Sequence, residues 1–121
     1  MSNQTEKVAT ATQLPMPSGF KILCAVPEID QTFGNSGIVK EDTTRTVEEH
    51  STVVLFVVEL GPDAYADERK FPSGAWCKKG DFVITRAFSG TRIKIHGKEF
   101  RLINDDQVEA TVLDPRGYSR V

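Results

Sequence analysis

A chain of 121 residues with a formal net charge of −2 is one domain long, and at that size it can bury roughly two thirds of its unfolded surface without staples. Fifteen Lys and Arg against seventeen Asp and Glu exclude a protein built to wrap a polyanion, which needs a clear basic excess, and two cysteines exclude a disulfide framework. The longest apolar run, Val53 to Val58, is six residues, far short of the ~18–20 that a membrane span requires.

Residues 1–18 are rich in Thr, Ala, Gln, Ser and Pro and read as a polar arm outside the core. They lack the apolar stretch of a secretory signal. With only two cysteines, a reducing cytoplasm is the expected location. Phe20 to Val26 is apolar and β-prone, is stopped by Pro27, and reads as a strand. Residues 28–51 have no sustained period and contain the turn-forming cluster Gly34-Asn35-Ser36-Gly37. A connection of this length inside a compact domain is usually functional or disordered. It carries an apolar pair, Ile38-Val39, directly after Gly37.

Thr52 to Leu60 is the strongest strand signal. Its apolar residues are consecutive, so both faces should be covered, and Val54, Phe56, Val58 and Ile84 are the expected core. Gly61-Pro62 ends it. Residues 63–79 are polar, with Pro72 and Gly74, and read as a second long excursion. Asp81 to Arg86 reads as a strand. Arg92 to Ile95 and Lys98 to Ile103 alternate on either side of His96-Gly97, a good two-residue hairpin turn. Asn104-Asp105-Asp106 is a turn, Val108 to Leu113 a last strand, and Pro115 begins a tail. The pattern contains no helix of convincing length. It predicts an all-β domain of six or seven short strands, a partly open barrel.

Most catalytic chemistry has no foothold. His50 and His96 have no metal-ligand spacing, and Cys24 and Cys77 have no CxxC partner. His96 suits a turn, where His tolerates positive φ. Gly90 to Lys98 imitates a phosphate loop but has six residues between its glycines, Glu99 after the lysine and strands on both flanks. Asp63, Asp67 and Glu68 read as a solvated loop without a pocket to perturb them. Trp76 reads as a packing anchor, and Cys77 has no base to activate it. Arg86, Arg92, Lys94 and Arg101 make a basic β-stretch with Phe88 and Phe100 nearby, but with a negative net charge nucleic acid is not an expected partner. No catalytic residue, metal or cofactor is expected.

One constellation carries a signal. Ser36-Gly37-Ile38-Val39 lies in the first long connection and Val57-Val58-Glu59-Leu60-Gly61 at the end of the central strand. Lys79-Gly80-Asp81-Phe82-Val83-Ile84 opens the next strand, and Asp105-Asp106-Gln107-Val108-Glu109-Ala110-Thr111-Val112 closes the domain. In this order and spacing, over roughly residues 19–113, they resemble the GroES-type co-chaperonin family. The resemblance implies a GroES-like partly open β-barrel over 19–114, with a long mobile loop at 27–52 and a roof-like excursion at 61–80 where the family has a hairpin. Residues 1–18 and 115–121 lie outside it as arm and tail.

The resemblance also implies a function. Such proteins are non-catalytic lids, assembled as a seven-membered ring, that dock on an ATP-dependent chaperonin ring through a short hydrophobic tripeptide. Gly37, Ile38, Val39 and Lys40 would be the partner-binding residues here. Lys40 departs from the family's aliphatic third anchor, although its stem can lie along an apolar groove. Ile22, Leu23, Val108 and Val112 would form the subunit interface, Phe20–Val26 of one subunit pairing with Val108–Leu113 of the next to cover two edges. The acidic connection after Lys40, the arm and the tail mark a divergent member, closer to a phage-borne type than to a housekeeping subunit. They leave an alternative from another class: a virion structural protein, a capsid decoration built on the same barrel, with the major capsid protein as partner.

Overall fold

The computed structural model describes residues 13–27, 52–118 and 120–121. They form six strands: β1 (Lys21–Ala25), β2 (Val54–Leu60), β3 (Phe82–Ile84), β4 (Thr91–Ile95), β5 (Lys98–Asn104) and β6 (Ala110–Val112), with one 3-10 turn, Asp105–Gln107, between the last two. All pairings are antiparallel, and the order across the sheet is β4-β5-β1-β2-β3-β6. The end strands β4 and β6 are not neighbours, so the sheet is open and the all-β, partly open expectation holds. Every expected strand is present, its ends trimmed or extended by no more than two residues. In the β4–β5 turn, His96 and Gly97 have φ of 51° and 81°, the pair of positive values that a tight two-residue hairpin needs.

The core cluster lies on one face of the sheet, over its central strands. Ile22 and Cys24 of β1, Leu55 and Val57 of β2, Val83 of β3 and Ile103 of β5 make one cluster with Val108. Side chains alternate along a strand, so Phe56, Phe82 and Ile84 point the other way, where the Phe56 and Phe82 rings sit 5.1 Å apart. The expected core is therefore corrected. Of Val54, Phe56, Val58 and Ile84, only Val54 is buried and the other three are half-buried. A run of consecutive apolar residues carries no parity, so hydropathy alone cannot say which set faces the interior. Opposite Leu23 and Cys24 the register slips by one residue, giving a bulge in β2.

What decides the parity is the excursion at 61–80. It holds no strand and is not a hairpin; it is a series of turns folded onto the buried face. Its ends are fixed by backbone bonds, Gly61 N–H to the Lys21 carbonyl at 2.8 Å and Gly80 N–H to the Val57 carbonyl at 2.9 Å. Between them Tyr65, Phe71 and Cys77 enter the core cluster. The Tyr65 and Phe71 rings meet edge to face at 4.8 Å, as do Phe71 and Trp76, the geometry that aromatic quadrupoles prefer. Trp76 is a partly exposed packing anchor on this pair, as expected.

Candidate functional site

Gly37, Ile38, Val39 and Lys40 lie outside the described residues. What is described is where their segment leaves and rejoins the sheet. After β1, the Val26 N–H donates to the Glu99 carbonyl of β5 at 3.1 Å. Before β2, the Thr52 carbonyl accepts from the Arg101 guanidinium at 3.4 Å, and the Val53 carbonyl accepts from the Thr85 N–H at 2.8 Å. Arg101 also donates through Nε to the Glu99 carboxylate at 3.2 Å, with both side chains buried. Both ends of the segment therefore rest on β5.

Sequence reading missed this pair. By sequence Arg101 reads as one member of a basic β-stretch, yet it has no exposed surface. The signal was available: alternation in Lys98 to Ile103 puts Glu99, Arg101 and Ile103 on one face, and Ile103 belongs to the core. The other members of the stretch, Arg86, Arg92 and Lys94, are exposed.

The four expected interface residues are placed inside the subunit. Ile22 and Leu23 have no exposed surface, and Val108 and Val112 are 5% and 8% exposed. β1 is flanked by β2 on one side and β5 on the other, so it offers no edge to a neighbour. Among the described residues β6 pairs on one side only, with β3. Leu14, Met16 and Phe20 before β1, and Leu113, Tyr118 and Val121 after β6, are exposed apolar side chains.

The remaining candidates behave as structure. Burial pushes the Cys24 thiol up to about 12, with the Cys77 thiol adding to the shift and Arg101 opposing it. Burial also raises Cys77, against the bond from Tyr65. A thiol in such surroundings is a poor nucleophile. The Tyr65 hydroxyl lies 3.5 Å from the Cys77 sulfur, and burial, then that bond, hold it well above its usual range. Asp63, Asp67 and Glu68 are exposed, and Asp67 does local work, accepting from the backbone N–H groups of Arg69 and Lys70. No helix among the described residues is long and apolar enough to cross a membrane.

No family model matches the chain. Curated relatives do. The chain is 36% identical over 98 residues to a protein named co-chaperonin GroES from Caldicellulosiruptor saccharolyticus, covering 81% of this chain and 96% of that one. It is 31% identical to the co-chaperonin GroES of Clostridium botulinum, over 79% and 95% of the two chains. It is 29% identical to that of Methylacidiphilum infernorum, over 79% and 91%. These proteins are bacterial and lend nothing to a phage source. With matches of this length running through nearly the whole of each relative, on an all-β sheet with the strand order described, the chain belongs to the GroES co-chaperonin family.

Proposed function

We propose that the chain is a co-chaperonin: an oligomeric lid, without catalysis of its own, that docks on an ATP-dependent chaperonin ring and assists folding beneath it. The observation that carries this is the 36% identity over 96% of a co-chaperonin's length. The docking residues are Gly37, Ile38, Val39 and Lys40. Several identical subunits in one ring, heptameric as in the family, add their contacts through effective concentration. The cytoplasm is where such a partner would be met. The virion alternative draws no support from these relatives.

The interface between subunits needs new residues, since β1 is enclosed within its own sheet. The unpaired side of β6, one of the two end strands, is an edge for a neighbouring copy to cover. Leu14 and Met16, just before the domain, and Leu113, just after β6, supply exposed apolar contact for a neighbouring copy.

The test pairs two variants in a chaperonin docking assay with ATP. Ile38→Asp places a charge where an apolar group should be buried, and repeated in every subunit it should abolish docking. Removal of residues 1–12 should leave docking intact, because the arm is not part of the docking surface. Parental docking by Ile38→Asp would end this reading and leave only the family assignment.

A further inference from the structure

Two residues of one strand hold both ends of the segment that carries the docking tripeptide. Glu99 and Arg101 are two apart on β5, on the same buried face, at 4% and 0% exposure. The Glu99 carbonyl takes the N–H of Val26 on the outgoing side. The Arg101 guanidinium reaches the carbonyl of Thr52 on the returning side. β1 lies between β5 and β2, and Arg101 is opposite Cys24 in the register. The arginine therefore spans the inner side of β1 to touch the chain that enters β2. The Glu99 carboxylate holds its Nε meanwhile.

A charge pair in the core calls for a reason other than stability. The desolvation of two buried ions rivals their attraction, and well-packed apolar side chains of the same volume often serve the fold equally well or better. What the pair supplies is direction. A guanidinium is a planar fork of donors: with one nitrogen fixed by a carboxylate, another is aimed at a definite point. Here that point is the Thr52 carbonyl.

We infer that Glu99 and Arg101 are a positioning clamp, setting where the docking segment leaves the sheet and acting on partner docking more than on folding. The inference rests on the proposed docking role of residues 37–40. Loss of the Arg101 bond leaves the Val53 carbonyl bond to Thr85 to hold the returning end; a looser end lowers the local concentration of the tripeptide at the partner's groove, and the loss compounds over every subunit of a ring.

The experiment replaces the pair with apolar side chains of similar volume, Glu99→Leu with Arg101→Met, in the full chain. The unfolding midpoint should hold or rise. The Thr85 amide, bonded to the Val53 carbonyl beside the returning end, should exchange several-fold faster with deuterium. Docking on a chaperonin ring with ATP should weaken by about tenfold. Docking at parental strength would overturn the inference, and so would a docking loss accompanied by a matching fall in midpoint, since that would mark a purely structural role. Should the double variant not fold, Arg101→Lys decides: it keeps a cation for Glu99 but has one nitrogen in place of the fork, so docking should again weaken, and parental docking overturns the clamp. Ile38→Asp runs alongside. If it docks like the parent, the co-chaperonin reading itself falls; if it fails to dock while the clamp variants dock normally, only the clamp falls.

Discussion

The backbone N–H of Tyr65 donates to the Asp105 carboxylate at 3.0 Å, across forty residues of chain. Tyr65 holds a φ of 61°, a conformation that costs a bulky side chain free energy and persists only where the surroundings enforce it. Asp105 is 4% exposed and sits at the start of the 3-10 turn, which is itself secured by the Asn104 N–H to the Gln107 side chain at 2.7 Å. One carboxylate thus ties the excursion to the turn that precedes β6. Asp105→Ala should lower stability by about 1–3 kcal/mol, the usual loss when a buried donor is left without its acceptor. Chemical denaturation checks this. An unchanged midpoint would mean that the excursion is held by its aromatic contacts alone.

The two faces of β2 should respond differently to truncation. Leu55→Ala opens a cavity in the core cluster and should cost about 2–5 kcal/mol. Phe56→Ala removes a half-buried ring whose main partner is Phe82, and its cost should fall below the ~3–5 kcal/mol typical of an enclosed phenylalanine. Equal losses in paired denaturation curves would put the parity of the strand in doubt.

Gly61 marks a close approach of two chains. A Cβ there would meet the Gly19 carbonyl oxygen and lie against that of Lys21, both backbone atoms that cannot swing aside. Gly61→Ala should therefore push the start of β1 from the end of β2 and destabilise by about 1–3 kcal/mol. Weaker protection of the Gly61-position amide, which donates to Lys21, is the local readout.

The thiols should be silent in the native protein. Neither Cys24 nor Cys77 should react with a thiol reagent at neutral pH until the chain opens, so labelling should follow unfolding. The sign of the pH dependence follows from the raised Cys24 value. Between an unfolded value near 9.0 and a folded one of about 12, the native state holds the proton and the unfolded state has released it. The thiol's contribution is complete below that window and is lost as pH rises through it. Cys24→Ala should flatten the fall in stability across this range relative to the parent.

Legibility from the sequence depended on what each residue type signals. Strands were readable because Val, Ile and Phe runs ended at Pro27, Gly61-Pro62 and Pro115, and His96-Gly97 marked its hairpin without ambiguity. The family was readable from short motifs in order. Facing was not: in Val53 to Val58 every position is apolar, and the choice falls to Tyr65 and Phe71, in a polar excursion whose fold rests on turn geometry and one distant carboxylate. Nor was the burial of Arg101, because a cation among cations reads as surface until its register is compared with that of Ile103. The expected edge at β1 is covered for a topological reason. Strand order across a sheet is a long-range property, and nothing local in Lys21 to Ala25 announces that it lies between two neighbours.

That central place of β1 has a consequence for synthesis. Lys21 is opposite Asn104, 83 residues further on. At ribosomal rates of about 5–20 residues per second, β1 waits roughly 4–17 s for β5 to be made. Throughout that delay Ile22 and Leu23 have at most one of their two flanking strands. The nascent chain is sticky for as long as its own closing strand is still being translated. A mostly non-local sheet of this kind is also slow to form once complete. A protein that guards the folding of others thus passes through the same exposed state itself, and pausing translation between β2 and β5 should raise its aggregation far more than a pause after β6.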